Sequence, residues 1–276
     1  MTEAYLKALG EKLTKEGPHK VEDTPRRVRG VLGGEYIFDT TEAKYVWEHP
    51  YYNIAPLLYS VLFSKTMRSE HTITNTSITD PYFYIPTTSL KLQEFTKTSD
   101  PKLPYFIANI KNHGKTALVL GFTHGGPLDG MSRISVPSLD KWLVEDEILQ
   151  GPHPKDPYKR VETIPSSREI RIEHKGKTIL TTSQNIFLYE TTLRPRYYLN
   201  PGAVVDWGSL VESETTTFCP YKGMADYYHL KVGDETVEDA IWYYKYPTSE
   251  SALIAGRLCF YNEKFDVFVD GVKEKK

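Results

Sequence analysis

The spacing of hydrophobic and polar positions changes once near the start of the chain. Leu6, Leu9 and Leu13 are three or four residues apart with Lys and Glu between them, and this spacing predicts a short amphipathic helix within residues 1–20. From Val28 onwards, β-branched and aromatic runs are separated by Gly, Pro and Thr, which is typical of strands. The pattern predicts a mainly β protein with a short N-terminal helix.

The strand-like pattern occurs twice. The segment VRGVLGGEYIFDTTEAKYVWE, beginning at Val28, matches the segment IRIEHKGKTILTTSQNIFLYE, beginning at Ile170. Gly34 aligns with Gly176, and each is expected to supply the positive φ that a tight hairpin needs. We therefore expect two tandem copies of one small antiparallel β-domain.

Later segments of the two copies also match. The aromatic cluster at 81–86 resembles the one at 195–201, and the ends of the copies align Arg133 with Arg257. Four prolines between the copies predict an extended linker. The predicted organisation is a helix at 1–20, a first β-domain at 21–150 with an insertion at about 50–80, a linker at 151–165 and a second β-domain at 166–276.

Several segments of the second copy resemble a known family. They are ETTLRPRYYLNPGAVV, TTTFCPYKGMADYYHL and DAIWYYKYPTSESALIAGRLCFYNEKFDVFVDG, and they are similar to domain of unknown function 427, a family also labelled nucleotidyltransferase-like. The first copy resembles the same domain in tandem members through TPRRVRGVLGGE, YVWEHPYY and KWLVEDEILQGPHPKDPYKRVE. Its region 87–130 departs from the family, because HGKTALVLGFTHGG stands where the second copy has CPYKG.

The resemblance implies a compact, antiparallel β-tent-like fold, akin to zinc-binding methionine sulfoxide reductases and thalidomide-binding domains. Those relatives hold zinc with two CxxC pairs, whereas this chain has only Cys219 and Cys259. We therefore predict no metal and no cofactor. A family resemblance of this kind predicts fold better than it predicts function.

Composition and charge narrow the possible partners and compartment. The formal net charge of −2 disfavours nucleic acid as a partner, because its binders carry a strong basic excess. The sequence has no secretory signal and no stretch of about 20 apolar residues that would span a bilayer. With two cysteines and no membrane segment, a cytoplasmic location is expected. The 20 tyrosines suit either strand packing or pockets for flat ligands.

Two glutamates at matching strand ends are candidate general bases. Glu48 and Glu190 close equivalent strands in the two copies, and partial burial would raise a carboxyl pKa towards neutrality. The alternative is a structural salt bridge, for example between Glu190 and Arg194 or Arg196. His49 follows Glu48 directly, and Pro50 favours a turn that would bring both side chains to one pocket mouth.

The segment Cys219-Pro220-Tyr221-Lys222-Gly223 is the most distinctive short pattern. Proline fixes one backbone angle and glycine allows an unusual one, so a rigid loop is expected. Lys222 would then have a fixed position from which it pairs with a carboxylate, binds an anion or stabilises an oxyanion. A packing role for Cys219 is favoured over a nucleophilic role, because no base is placed near it by the sequence.

These observations lead to one leading function and two alternatives. The leading hypothesis is a cofactor-independent acid–base enzyme, of the isomerase, cyclase or hydro-alkoxylation type, acting on a small aromatic or polyketide-like metabolite. The alternatives are a non-catalytic module that binds a small molecule or peptide, and a nucleotidyltransferase. The predicted catalytic residues are Glu48, Glu190 and Lys222, and the predicted substrate-binding residues are His49, Tyr51, Trp47, Arg194, Tyr197, Tyr198, Tyr221 and Tyr227.

Overall fold

The computed structural model describes residues 2–48, 80–91, 94–97, 102–123 and 125–275. The predicted insertion at about 50–80, like the predicted site residues His49 and Tyr51, lies outside them except for its last residue. The chain divides into two compact units, Met1–Asp156 and Pro157–Lys276.

The first unit consists of one helix and antiparallel strands. Helix α1 spans Glu3–Glu16, and the side chain of Thr2 accepts a hydrogen bond from the backbone N–H of Tyr5 at its start. Short 3-10 helices lie at Thr87–Ser89 and Val136–Ser138. The strands are β1 Lys20–Asp23, β2 Val28–Leu32, β3 Glu35–Thr40, β4 Lys44–Trp47, β5 Tyr82–Pro86, β6 Glu94–Lys97, β7 Tyr105–Asn112, β8 Lys115–Phe122, β9 Met131–Ile134, β10 Lys141–Val144 and β11 Glu147–Ile148.

The second unit is also built from antiparallel strands. Its 3-10 helices lie at Pro201–Ala203, Trp207–Ser209 and Ser249–Ile254. The strands are β12 Val161–Ser166, β13 Ile170–His174, β14 Lys177–Thr182, β15 Asn185–Glu190, β16 Arg196–Leu199, β17 Leu210–Cys219, β18 Gly223–Val232, β19 Glu235–Pro247, β20 Leu258–Phe260, β21 Asp266–Val269 and β22 Val272–Lys273.

The strand order of the first unit recurs in the second. Within the described residues, the larger sheet of the first unit has the order β1-β4-β5-β9-β8-β7-β6, and the larger sheet of the second has β12-β15-β16-β20-β19-β18-β17. The smaller sheets, β11-β10-β2-β3 and β14-β13-β21-β22, also correspond when one is read in reverse. Each strand of the first unit therefore has a counterpart eleven strands later. The predicted antiparallel β-fold with an N-terminal helix is confirmed.

Alternate residues of the larger sheet face two different cores in the first unit. Tyr45, Trp47 and Phe83 face a core shared with the smaller sheet, which contributes residues such as Phe38 and Trp142. Residues on the other face of the larger sheet pack against the helix leucines Leu6, Leu9 and Leu13. This alternation follows from the two-residue period of a strand.

The second unit has the same two-core arrangement. Phe187 and Tyr197 belong to the core between the sheets, whereas Leu188 and Tyr198 belong to a core on the opposite face of the larger sheet. Ile254, from the 3-10 helix Ser249–Ile254, packs in this second core. The opposite face thus receives a short 3-10 helix where the first unit has α1.

The hairpin turns follow the sequence prediction. Gly34 has φ 84° and Gly176 has φ 78°, in the left-handed region that glycine adopts without steric strain. The predicted positive φ at both positions is confirmed.

Two sequence-based assignments differ from the structure. The predicted linker ends in a strand, because residues 161–166 form β12 and pair with β15. Pro165 is compatible with this strand because β12 lies at the edge of its sheet, where a missing N–H is tolerated. The alignment of Arg133 with Arg257 is also wrong. Tyr84 pairs with Arg133 and its counterpart Tyr198 pairs with Cys259, so Cys259 is the structural equivalent of Arg133.

In the described part of the chain, no helix combines the length and the apolar character needed to cross a membrane.

Candidate functional site

Glu190 is positioned by the alternation of strand β15. Ile186 and Leu188 face the second core of their unit, and Glu190, two residues further, follows the same period. Its backbone pairs with Val161 of the edge strand β12. The side chain is buried, with 5% of its surface exposed. An ionisable group at such a position needs charged or hydrogen-bonding partners.

The segment Cys219–Gly223 forms the turn between β17 and β18. The backbone N–H of Lys222 donates to the carbonyl of Cys219 at 3.2 Å. The hydroxyls of Thr248 and Ser251 donate to the carbonyl of Tyr221 at 2.6 and 3.1 Å. These contacts fix the turn from both sides, as expected from the sequence.

Gly223 is required in this turn for two reasons. Its φ is 104°, which side chains rarely adopt. A Cβ at this position would also lie 3.1 Å from the carbonyl oxygen of Tyr246. The glycine therefore allows the turn to approach the end of β19 and fixes the direction in which Lys222 points.

Two lysines hold the Glu190 carboxylate, one on each oxygen. Nζ of Lys222 lies 2.6 Å from Oε2 and Nζ of Lys159 lies 2.8 Å from Oε1. Lys222 is 14% exposed and Lys159 is 25% exposed at the side chain. The ammonium group of Lys159 also lies 5.1 Å from the ring centre of Tyr221. We call these four residues the Glu190 site.

The electrostatics of the Glu190 site keep both the acid and its buried lysine charged. Burial raises the pKa of Glu190, but the charges and hydrogen bonds of Lys222 and Lys159 outweigh burial and leave that pKa below its usual value. Burial lowers the pKa of Lys222, but its neighbours Cys219 and Glu190 outweigh burial and leave the net pKa raised. At neutral pH the site therefore holds a carboxylate beside a protonated amine.

Aromatic residues occupy the second core of the unit, on the sheet face that strand alternation gives to Glu190. Tyr221 and Tyr227 are 4% and 7% exposed, and the hydroxyl of Tyr227 shares a 2.7 Å hydrogen bond with Thr217. The hydroxyl of Tyr198 accepts a hydrogen bond from Nε1 of Trp242 at 3.2 Å. The core on this face is largely apolar, and the hydroxyl groups of Tyr198 and Tyr227 are engaged in hydrogen bonds.

The two cysteines are not paired with each other. Cys259 is fully buried, and burial raises the pKa of its thiol to about 12. A thiol with such a pKa is protonated and a poor nucleophile at neutral pH. Cys219 is partly buried.

The equivalent carboxyl group of the first unit, Glu48, is neutralised differently. Glu48 forms a buried ion pair with Arg133 and accepts a hydrogen bond from the hydroxyl of Tyr84 at 2.9 Å. The ring of Tyr82 lies 4.2 Å from the guanidinium carbon of Arg133. Burial raises the pKa of Glu48, and Arg133 and Tyr84 offset this only in part. We call these four residues the Glu48 site.

Three predicted binding residues lie away from the two sites. Trp47 is buried between the sheets, and its Nε1 donates to Asp156 at 3.2 Å. Tyr197 faces the core opposite to Tyr198, because neighbours in a strand point to opposite faces. Arg194 donates to the carbonyl of Lys275 at 3.1 Å and lies 3.6 Å from Glu263. The structure does not bring these three to Glu48 or Glu190.

Other predicted residues do come together. Glu190 and Lys222 are in contact. Lys159, which also pairs with Glu190, lies against the ring of Tyr221. Tyr198 and Tyr227 belong to the core cluster beneath. The salt bridge considered for Glu190 exists, but with Lys222 and Lys159 in place of Arg194 or Arg196.

Sequence reasoning missed one cation of each site. Lys159 lies in the predicted linker, yet the pairing of Val161 with Glu190 brings it close to the carboxylate. Recognising β12 as a strand would have found it. Arg133 was missed as a partner of Glu48 because the alignment placed it opposite Arg257. No three or more His, Cys, Asp or Glu side chains of the described residues are arranged to hold a metal ion.

The fold and the site define a class: a two-sheet antiparallel β-domain with a buried carboxylate at the end of a strand of its larger sheet. Residues 162–271 match the family model NTP_transf_9, described as domain of unknown function DUF427. The match lies in the second unit and supports the family resemblance that the sequence analysis found in the second copy. Comparison with curated proteins finds no match to this chain.

Proposed function

We propose that the second unit is a cofactor-independent acid–base enzyme that acts on a small aromatic or polyketide-like metabolite. The observation that carries the proposal is the buried Glu190 carboxylate held between the ammonium groups of Lys222 and Lys159. In this proposal Glu190 removes a proton from carbon, and Lys222 stabilises the oxyanion that forms. Isomerisation and carbonyl-dependent cyclisation use such a step, whereas in hydro-alkoxylation the same carboxylate would remove the proton of the hydroxyl group that adds to the alkene.

The protonation states of the site support this assignment. Removing a proton beside a carbonyl needs an ionised base and a protonated electrophile in one place. Glu190 is ionised at neutral pH because its pKa is lowered, and Lys222 is protonated because its pKa is raised.

Lys159 supplies the access that the reaction needs. It is the more exposed of the two lysines, so we expect a substrate hydroxyl group to take its place as a donor to Glu190, or a substrate carbonyl oxygen to accept a hydrogen bond from it. Losing one cation raises the pKa of the carboxylate and makes it a stronger base. Among the residues that the structure describes, the cation paired with Glu48 is Arg133, which is only 2% exposed and therefore offers no comparable access.

The test measures hydrogen exchange at carbon. The whole chain is incubated in heavy water with a panel of aromatic and polyketide-like carbonyl compounds, and deuterium uptake and product masses are recorded by mass spectrometry. Glu190→Gln is expected to slow exchange at least about 100-fold, the usual contribution of a general base. Lys222→Met is also expected to slow it.

Matched variants decide which carboxylate acts. Glu169→Gln, at an exposed position of the same unit, should exchange at the wild-type rate. Glu48→Gln tests the prediction that the first unit also takes part. Wild-type exchange in Glu190→Gln and in Lys222→Met would overturn the proposal.

A non-catalytic binding module is the second candidate. It is favoured by one feature: both Glu190 oxygens already have cationic partners, which is also the arrangement of a structural ion network. Thermal stabilisation by a panel compound without deuterium uptake or product would support this candidate. Nucleotidyl transfer, suggested by the family label, would instead require Mg²⁺-dependent nucleotide binding in calorimetry.

The expected setting is the cytoplasm, within specialised metabolism. Two unpaired cysteines suit a reducing compartment. The expected partner is a small aromatic or apolar molecule, with neither nucleic acid nor membrane bound.

A further inference from the structure

A group of partly exposed aromatic rings lies on the face of the second unit's larger sheet opposite to the Glu190 site. Trp207 packs edge-on against Tyr228 with ring centres 6.0 Å apart, and Tyr228 stacks on Tyr243 at 5.1 Å. Trp207 is 49% exposed, so these rings are not sealed inside the core.

The short 3-10 helix after Asp206 fixes the position of Trp207. The side chain of Asp206 accepts a hydrogen bond from the N–H of Gly208 at 3.1 Å, and its carbonyl accepts one from the hydroxyl of Ser209 at 2.6 Å. This turn holds the ring of Trp207 against Tyr228 with about half of its surface in water, and a large apolar ring in that position is a feature of binding surfaces.

Carboxylates lie directly opposite the two tyrosines. Glu212 pairs with Tyr228 across β17 and β18, and Asp226 pairs with Tyr243 across β18 and β19. Directly paired residues of antiparallel strands point to the same face, so each ring has an acidic neighbour on its own side. We call Trp207, Tyr228, Tyr243, Glu212 and Asp226 the Trp207 cluster.

The ionisation of Tyr243 agrees with this placement. Burial, the neighbouring Tyr228 and the charges of Asp226 and Glu212 together raise the pKa of Tyr243 to about 12. Tyr243 therefore keeps its proton at neutral pH, and its ring keeps the electron-rich face of a neutral phenol.

The first unit provides an internal comparison for this surface. Its equivalent cross-strand row runs Ile134, Val119, Ala108 and Lys97, whereas the row in the second unit runs Phe260, Ile241, Tyr228 and Glu212. A tyrosine and a glutamate thus replace an alanine and a lysine. Likewise Asp226 and Tyr243 replace Phe106 and Gly121, which pair in the first unit. The common fold does not require the Trp207 cluster.

We propose that the Trp207 cluster is a binding site for the trimethylammonium group of a choline-like small molecule. Aromatic faces attract cations through their quadrupole, and trimethylammonium groups lose little hydration when they contact rings. The carboxylates of Glu212 and Asp226 add charge complementarity and disfavour phosphate and carboxylate ligands. The site faces away from Glu190 and does not depend on the proposed enzyme activity.

The experiment measures binding of choline to the whole chain by calorimetry at low ionic strength. The comparison ligand is its uncharged carbon isostere, in which a tert-butyl group replaces the trimethylammonium group. Choline is expected to bind at least about tenfold more tightly than the isostere, and its affinity is expected to fall as salt is added, since salt screens exposed charges.

Variants locate the binding. Trp207→Ala and Glu212→Gln are each expected to weaken choline binding at least about fivefold, because each removes one of the two attractions in the cluster. Tyr246→Ala removes an 80% exposed ring elsewhere in the unit, and Glu147→Gln removes an exposed charge in the first unit. Both controls should bind as the wild type does. Circular dichroism confirms that each variant is folded.

Three results would overturn the proposal. Equal affinity for choline and its uncharged isostere would mean that the surface is only apolar. Undiminished binding in Trp207→Ala would place the ligand elsewhere. An absence of choline binding at millimolar concentration would show that the cluster does not bind trimethylammonium groups.

Discussion

Each unit buries a carboxylate at the same strand end and neutralises it with a different cation. Glu48 contacts the guanidinium of Arg133, which lies on β9 of the same sheet. Glu190 contacts two ammonium groups, that of Lys222 in the turn between β17 and β18 and that of Lys159 just before β12. A buried ion pair rarely adds net stability, but removing one partner leaves an unpaired buried charge.

This argument predicts a large effect at Arg133. Arg133→Met should lower the free energy of unfolding by about 3–5 kcal/mol, because the Glu48 carboxylate loses its cation in a buried position. Denaturant unfolding of the whole chain measures the change. The double variant Arg133→Met with Glu48→Gln should recover part of the loss, since it removes the second charge as well. A loss below about 1 kcal/mol in the single variant would contradict this account of the pair.

At the scale of elements, helix α1 packs closely on strand β7 because of one glycine. A Cβ at Gly10 would lie 2.6 Å from a ring carbon of Tyr105, which is closer than real Cβ contacts. Leu6, Leu9 and Leu13 pack around this contact in the same core. The glycine is thus retained inside a helix, where it would otherwise be unfavourable.

We therefore expect alanine to lower the stability of the protein at this position, although alanine generally favours helix formation. Gly10→Ala would favour an isolated helix by about 1 kcal/mol, but here it should destabilise the protein by about 1–3 kcal/mol because the helix must move off Tyr105. Thermal unfolding of the whole chain tests this. Thr14→Ala, on the exposed side of the helix, is the control and should be neutral or slightly stabilising. A rise in stability for Gly10→Ala would disprove the close contact.

At the scale of the whole molecule, the equivalent glutamates should respond to pH in opposite ways. The pKa of Glu190 is lowered on folding, so its contribution to stability is present above the unfolded pKa of about 4.3 and is lost as the pH falls through the folded value. The pKa of Glu48 is raised, so its contribution is present below about pH 4.3 and is lost as the pH rises through the folded value.

Unfolding measurements at a series of pH values test this contrast. The free energy of unfolding that Glu190→Gln loses relative to the wild type should grow as the pH rises from about 3 to about 5. For Glu48→Gln, the free energy of unfolding relative to the wild type should instead rise as the pH increases above about 4.3. Glu147→Gln should track the wild type. Parallel pH profiles for Glu48→Gln and Glu190→Gln would show that the two carboxyl groups have the same environment.

Local patterns predicted much of the fold. The period of the leucines gave helix α1, and the glycines at 34 and 176 gave the hairpins, because both depend on neighbouring residues. The cations beside the glutamates were harder to predict, since Arg133 and Lys159 reach them only through strand pairing between distant segments. The placement of Tyr197 away from Tyr198 was predictable from strand alternation alone.

The two edge strands of the second unit's larger sheet, β12 and β17, are each interrupted, and this affects the tendency of the unit to self-assemble at high concentration. The N–H that Pro165 lacks cannot pair with an incoming chain along β12, and the irregular register between Glu212 and Thr216 interrupts β17 at the other border. Such interruptions hinder the edge-to-edge addition of strands by which fibrils grow. We infer that replacing Pro165 with a β-branched residue would make this unit more prone to self-assembly.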